Sequence, residues 1–334
     1  MAIVGNGNAT LTDLASQMDS NGRPARIIEI LAKTNEIVDD MVFTEGNLPT
    51  GDKTVVRVGE PEPTWRRYNQ GVVVGKGRTR QVTDTCGMLE SESAVDRDLV
   101  KLHGDNGNAY RMSEARAHIS SMGKELASKI IYGNADTDPE QIHGLAQRYS
   151  TLSNNADESG YNIVDAKGIG SDNTSIYLVT WGDDLIRGIY PKGSEAGLKH
   201  EDKGEQRVFD ADGNAFYAFV DHFKWDVGLS VRNWKMGGRI ANIDVSELTK
   251  DASAGADLVD LMTVLLEEKV EDINAGRAAF YCNRTIRSVM RRQIANKSNV
   301  NLSLDDFGGK RIMHFDGIPI RRVDAILNEE QRVI

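Results

Sequence analysis

Apolar residues recur at helical spacing through the segment 108–134, and this pattern predicts the longest helix of the chain. The intervals i, i+3, i+7, i+10, i+14 and i+18 place six of them on one stripe. The six residues of the stripe are Met112, Ala115, Ile119, Met122, Leu126 and Ile130. Gly133-Asn134 supplies the stop signal, because these residues tolerate the backbone conformation that ends helices.

Shorter apolar runs between residues 140 and 250 predict strands. "SIYLVTWG" and "LIRGIYP" are typical of buried strands, and "RIANID" is typical of another short one. The segment 205–231 predicts two strands that turn at Asp-Gly-Asn. Loops and strands therefore dominate the middle of the chain.

The C-terminal part returns to alternating helices and strands. The segment 257–276 predicts a helix with Asp257 as its N-cap and Gly276 as its stop. A strand, "RAAFYCN", and a helix over 285–297 follow. Asp316-Gly317 predicts the turn of a hairpin over 310–326, because this dipeptide suits a two-residue hairpin loop. Near the other end, residues 1–45 predict short helices, and together these elements indicate an α+β fold.

The segment 61–85 has a pattern that does not suit a self-supporting element. Two β-rich stretches, 54–58 and 71–83, predict a long hairpin or extended loop, but they carry too few apolar residues to bury themselves. Trp65 and Tyr68 add aromatic rings. Its cations are Arg66, Arg67, Lys76, Arg78 and Arg80. The sequence therefore predicts a basic, aromatic, bendable arm.

Composition narrows the class of protein. The chain has 334 residues, 40% of them hydrophobic, and a formal net charge of -10, which argues against a dedicated nucleic-acid binder. Two cysteines make no disulfide framework, and no leader-like or membrane-spanning run is visible. These features favour a cytosolic protein.

The patterns that would indicate catalysis or ligand binding are incomplete. "GVVVGKGRT" has the wrong glycine spacing for a phosphate loop, and "DADGN" is better explained as a hairpin turn than as a calcium loop. The six histidines form no i, i+4 pair, and the acidic run at 267–272 is typical of a solvated helix face. We therefore predict no catalytic residue, no metal, no cofactor and no enzyme.

Charge is segregated near the C-terminus. Residues 277–334 contain 11 Lys or Arg and 6 Asp or Glu, whereas the helix before them is acidic. Arg284, Arg287 and Arg291 lie at i, i+3 and i+7 and give the helix over 285–297 a basic face. Complementary faces in one acidic chain favour contact between copies over contact with DNA.

Two segments in the right order carry a family resemblance: "YPKGSEAGLKHEDKGEQ" (190–206) and "FKWDVGLSVRNWKMGGRIANID" (223–244). The chain resembles major capsid proteins of tailed bacteriophages with the Hong Kong 97-type fold, in the group found in many short-tailed phages. The signature residues of the second segment are Trp225, Gly228, Leu229, Arg239, Ile240, Asn242 and Ile243.

The resemblance covers nearly the whole chain and implies a division into parts. Residues 1–45 would be an N-terminal arm, 46–100 the extension loop, and 101–139 the peripheral domain with its spine helix. Residues 140–250 would be mainly axial domain, and 251–334 would complete the axial and peripheral domains.

The implied function is a structural subunit that assembles as pentamers and hexamers into an icosahedral shell around phage double-stranded DNA. The DNA contact would be non-specific. Residues expected at subunit contacts are Trp65, Arg66, Arg67, Tyr68, Lys76, Arg78, Arg80, Arg284, Arg287 and Arg291.

Further partners follow from the same resemblance. Residues 1–45 are too short for an internal scaffolding domain, so we expect a separate scaffolding protein, a portal and possibly a cement protein, but no membrane and no crosslink through Lys76. The chain would reside in the virion capsid after assembly in the host cytoplasm. The competing interpretations are a β-rich, hydrolase-like soluble enzyme and a nanocompartment shell protein of the same fold.

Overall fold

A computed structural model describes residues 35–210, 213–249, 255–296, 302–307 and 310–334. The helices are α1 (Ile37–Asp40), α2 (Arg97–Leu102), α3 (Gly107–Tyr132), α4 (Leu145–Arg148), α5 (Leu258–Val264) and α6 (Arg284–Asn296). Short 3₁₀ turns occupy Gly104–Asn106, Ser159–Asn162, Trp234–Met236 and Ile273–Ala275, and one π-helical turn occupies Leu265–Lys269.

Thirteen strands account for most of the remaining regular structure in the described ranges. They are β1 (Phe43–Glu45), β2 (Gly51–Gly59), β3 (Arg78–Asp96), β4 (Ile163–Asp165), β5 (Asn173–Trp181), β6 (Ile186–Tyr190), β7 (Leu198–Phe209), β8 (Ala215–Val231), β9 (Gly237–Asp244), β10 (Arg277–Cys282), β11 (Leu302–Phe307), β12 (Lys310–Phe315) and β13 (Ile318–Arg322).

The chain divides into two compact units. The smaller unit contains residues 88–126 and 197–226 of the described chain, and the larger contains 35–87, 127–196 and 227–334.

The larger unit is organised around a mixed sheet. Its strands follow the order β11, β12, β13, β10, β5, β6 and the end of β8, with β9 also pairing with β5. Every residue of β5 is buried, which explains why its sequence is a continuous apolar run and not an alternating one.

Two helices cover this sheet in the larger unit. Residues of α5 and α6, such as Leu258, Met262 and Ile286, share one core cluster with Ile240 of β9 and Phe280 of β10. The N-terminus of α5 is capped as expected, because the Asp257 carboxylate accepts a hydrogen bond from the backbone N–H of Asp260.

The predicted end of this helix at Gly276 is wrong. Regular helix stops at Val264, and the π-helical turn then ends where Val270 adopts an extended backbone and buries its side chain. Asp272 then starts a separate 3₁₀ turn by accepting a hydrogen bond from the N–H of Asn274. Tertiary burial of Val270 therefore overrides the helical pattern.

Two predicted turns are confirmed. Asp316 and Gly317 both have positive φ, 48° and 80°, as a two-residue hairpin turn requires, and they connect β12 to β13. The Asp210 carboxylate accepts a hydrogen bond from the N–H of Asn214 at 2.7 Å, where β7 turns into β8. The strands of this second hairpin extend beyond the predicted start, to Leu198.

The smaller unit contains this β7–β8 hairpin and most of α3. Ala115 and Met122 of α3 pack with Phe223 of β8 in its core. The apolar stripe is not buried along its whole length, however, since Met112 is 54% and Ile119 39% exposed. Only part of the stripe faces the core of this unit.

Helices predicted for residues 1–34 lie outside the described residues. From residue 35 onward, α1 is a single turn, and β1 then pairs in parallel with β6. Residues 71–77, predicted to be β-rich, form no strand, and β3 begins at Arg78. They have no strand partner in the described chain, and the side chains of Val72, Val73 and Val74 are exposed instead of packed.

Candidate subunit interface

The segment predicted to be the extension loop forms a two-stranded ribbon within the larger unit. Strands β2 and β3 pair antiparallel from Gly51 opposite Thr85 to Gly59 opposite Arg78, and residues 60–77 beyond them have no regular structure apart from a turn. Trp65 and Tyr68 in this outer segment, named here the loop tip, are essentially fully exposed. Val72, Val73 and Val74 of the same segment are exposed as well, so the tip presents several apolar side chains to solvent.

The basic residues of the tip also point to an outside partner. Arg66, Arg67 and Lys76 are exposed, and none of them forms an ion pair with a carboxylate of the described residues. Arg80 on the ribbon is exposed as well. Arg78 differs, because its Nη2 lies 2.7 Å from Asp157 Oδ2 on the larger unit. Charge at the tip is thus available to carboxylates of another molecule.

The ribbon is tied to the body at its base by two buried aspartates. Asp52 on β2 and Asp84 on β3 are direct cross-strand neighbours, with only 1% and 3% of their surfaces exposed. Asp52 Oδ2 accepts hydrogen bonds from Arg187 at 2.9 Å and from Arg232 at 3.0 and 3.2 Å. Asp84 accepts one from Arg148. We call these five residues the root cluster.

The arginines of the root cluster offset the charges of its two aspartates. Two carboxylates opposite each other on one sheet face repel, and burial disfavours their charged forms. Burial raises the pKa of Asp52, but hydrogen bonds and charge from Arg187 and Arg232 outweigh it and hold that pKa below its usual range. Asp52 is therefore ionised at neutral pH.

Above the root cluster the ribbon stands away from the body of the larger unit. A cavity of about 700 Å³ separates Thr54, Val55 and Val56 from residues such as Arg232 and Lys235. A second, of about 360 Å³, lies between Arg80 and Val82 on the ribbon and Arg148 on the body, among other residues. The described ribbon therefore relies on polar ties and not on apolar packing.

The basic face predicted for the C-terminal helix is present on α6. Arg284 and Arg291 are exposed and Arg287 is half-buried. On the segment that follows α5, four carboxylates are exposed. These are Glu267, Glu268, Glu271 and Asp272. One of the four is paired, since Lys235 Nζ lies 2.5 Å from Glu271 Oε1.

A second buried ion pair lies elsewhere in the larger unit. Arg239 of the signature segment is 4% exposed and donates to Glu330 at 2.8 Å. Glu330 also accepts hydrogen bonds from Ser175 and Tyr132, which joins the end of the chain to β5 and to the last turn of α3. This pair is structural and remote from the ribbon in sequence.

Residues considered for chemistry have ordinary structural surroundings. His118 hydrogen-bonds with Ser91 at 2.7 Å and stacks on Phe223. In the part of the chain that the structure describes, no three His, Cys, Asp or Glu residues are grouped to hold a metal ion. No helix among the described residues is both long enough and apolar enough to cross a membrane.

The family assignment rests on the chain as a whole. The family model described as major capsid protein GP7 matches residues 19–334. The chain belongs to this family of major capsid proteins. A comparison with curated proteins found no match.

Solved structures agree with the family. A chain in a cryo-EM structure of bacteriophage Epsilon15 is 40% identical to this capsid protein, with 100% of this chain and 99% of that one covered and a TM-score of 0.76. The capsid of bacteriophage JBD30 is 10% identical over 95% of this chain and 99% of that one, with a TM-score of 0.51, which shows a shared fold. The predicted α+β capsid fold of the Hong Kong 97 type is confirmed, as is a structural role in a phage capsid.

The root cluster was not found from the sequence of the capsid protein. Its one signal in the sequence is that Asp52 lies just before the first β-rich stretch, 54–58, and Asp84 just after the second, 71–83. The arginine partners lie 64 to 180 positions away in the chain, so no local pattern connects them. The predicted contact residues, from Trp65 to Arg291, stay predictions about another molecule.

Proposed function

We propose that this capsid protein tiles a closed icosahedral shell as pentamers and hexamers, with each extension loop laid over a neighbouring copy. The observation that carries the proposal is the loop tip, which exposes Trp65 and Tyr68 and has no apolar support of its own. A bare two-stranded ribbon is marginally stable in water. Its ordered state is best explained by a neighbour that covers it.

The tip has the composition of a binding anchor. Tryptophan and arginine dominate the energetics of protein interfaces, and guanidinium groups pair well with carboxylates. The rings of Trp65 and Tyr68 with the cations of Arg66, Arg67 and Lys76 would bury on the order of 800 Å² per partner, as a standard interface does. Each contact would be modest, but a closed shell repeats it many times.

The charged faces of the larger unit suit a second contact between copies. Carboxylates at 267–272 of one copy would meet the basic face of α6, with Arg284, Arg287 and Arg291, on the next. Such a head-to-tail contact uses two different patches and closes into a ring when its rotation is correct. Five-fold and six-fold rings would require slightly different angles at the same contact.

The chain would act on DNA only as a container. With a net charge of -10, its inner wall would hold packaged DNA weakly, because tight binding of phosphate requires clustered Lys and Arg. Assembly in the host cytoplasm would use a separate scaffolding protein and a portal, with a cement protein as a further partner. Uniform native-size particles from the pure chain alone, or a strongly positive concave face, would contradict these expectations.

The test removes the anchor and leaves the fold intact. Trp65→Ala/Arg66→Ala/Arg67→Ala should abolish closed shells when expressed with the other assembly proteins, as measured by size-exclusion chromatography and cryo-EM. The matched control is Lys167→Ala/Ile169→Ala, which removes another exposed cation and apolar side chain.

Normal shells from the triple variant would refute the role of the tip. The nucleic acid content of wild-type particles separates a DNA capsid from a nanocompartment that encloses protein.

A further inference from the structure

The root cluster has a geometry that a simple stabilising ion pair does not need. Asp52 and Asp84 sit opposite each other across the ribbon, and each one is held by arginines from the body of the larger unit. Arg187 lies on β6, Arg232 follows β8, and Arg148 ends α4. Both strands of the ribbon are therefore tied, and the ties run to three separate elements.

We infer that the root cluster is a charged clamp that sets the direction in which the extension loop leaves the subunit. This rests on the proposed use of the loop as an arm between copies. Two tethered points on paired strands define the tilt of a ribbon, whereas one point would leave it free to swing. The loop tip lies beyond the clamp, so a small change of tilt at the root becomes a large displacement at Trp65.

Packing does not provide the same constraint. The two cavities, of about 700 and 360 Å³, flank the ribbon immediately outside the clamp. Val55 in the same stretch is 61% exposed. Apolar contacts would resist such movement, but here open space lies between the described ribbon and the body of the larger unit.

The two arginines that hold Asp52 also have a second carboxylate nearby, which would let this side of the clamp open. Arg232 Nη1 lies 3.1 Å from Asp184, and Arg187 Nη1 lies 3.9 Å from Asp183. Both of these carboxylates are largely exposed. If the ribbon tilts and Asp52 moves away, Arg187 and Arg232 still each have a carboxylate nearby. Opening therefore avoids the large penalty of leaving a buried cation unpaired.

Two arrangements of the ribbon, clamped and tilted, would serve a shell that needs more than one subunit geometry. Pentamers and hexamers present the loop to neighbours at different angles. A clamp with alternative partners is a discrete element that can hold either angle. The structure assigns this role to the root cluster and not to the tip.

The test uses Asp84→Asn/Arg148→Met in the full chain. This double variant removes both charges of one tie, so it leaves no buried ion unpaired and should retain the fold. The control is Arg239→Met/Glu330→Met, which removes the other buried ion pair of the larger unit. Asp52→Asn is a second probe of the clamp, in case the first variant is poorly expressed.

Hydrogen exchange of the unassembled chain measures the ribbon directly. We expect backbone amides of β2 and of residues 78–85 to exchange about tenfold faster in the clamp variants than in wild type, with no such change in the control. Unchanged exchange in both clamp variants would overturn the inference, because the ties would then not hold the ribbon.

Shell diameter by cryo-EM gives the functional readout. Clamp variants should still form shells, because the loop tip is intact, but with several diameters where wild type and control have one. A single wild-type diameter from both clamp variants would overturn the inference even if exchange rose. Failure of the proposed function is distinguishable, since it appears as normal shells from the loop-tip variant.

Discussion

Strand β5 and the extension loop belong to the same unit but differ in how far their own chain buries and pairs them. All nine residues of β5 are buried between pairing strands, whereas residues 60–77 have no strand partner and expose Trp65, Tyr68 and Val74. The sheet centre obtains its stability from its own chain. The loop lacks such support within the described chain. Measurements on the unassembled chain should therefore separate the two regions sharply.

The largest effect on the free energy of unfolding should come from the ion pair beside β5. Arg239→Met leaves the Glu330 carboxylate buried without its cation, which should cost about 3–5 kcal/mol. Urea unfolding measures it. Arg239→Met/Glu330→Met is the control and should recover most of the loss. A loss below about 1 kcal/mol for the single variant would contradict the structural role of this pair.

Truncation of a side chain at the sheet centre should reduce the free energy of unfolding almost as much. Leu178→Ala truncates a fully buried side chain and leaves a cavity in the core. It should reduce the free energy of unfolding by about 2–5 kcal/mol. Trp65→Ala is the matched truncation at the loop tip and should change it by less than about 0.5 kcal/mol. A similar loss from both variants in urea unfolding would mean that Trp65 packs within its own chain.

The root cluster should make stability depend on acid pH. The pKa of Asp52 is lower in the folded chain than when unfolded, so its contribution is present at neutral pH and is lost as pH falls through the lowered pKa. Asp52→Asn removes that contribution. Between neutral pH and about pH 3, wild type should lose more free energy of unfolding than Asp52→Asn does. Equal losses would show that Asp52 gains nothing from Arg187 and Arg232.

Among the ion pairs, the smallest effect on the free energy of unfolding should come from the pair between the ribbon and the body. Arg78 and Asp157 are both substantially exposed, so Arg78→Ala should cost about 0–1 kcal/mol. High salt should reduce the difference further, because screening weakens exposed pairs. A loss as large as that of the buried pair would show that the ribbon is bound to the body more firmly than its exposure indicates.

Local patterns predicted the elements whose determinants are close together in sequence. The helix over 108–134 appears as α3, with bounds that differ by one or two residues, and the Asp316-Gly317 hairpin appears as expected. The helix predicted to reach Gly276 failed, because burial of Val270 in the core of the larger unit ended it early. The periodicity of a segment shows where it could form a helix by itself, and tertiary packing decides where that helix ends.

The candidate interface also has one part that the local sequence could predict and one part that it could not. Clustered Arg66, Arg67 and Trp65 in a ribbon without apolar support could be recognised from sequence, because their meaning depends on neighbours in the chain. The tie between Asp84 and Arg148 could not, because it depends on the register of β2 against β3 and on the position of α4.

From the sequence by itself, composition and periodicity determined an α+β chain with a cationic, aromatic arm, and the resemblance of two signature segments indicated a capsid protein. The tertiary structure alone decided how that arm is held. Buried charges are tolerated only where distant residues neutralise them, and which arginines reach Asp52 and Asp84 is set by strand pairing across the fold.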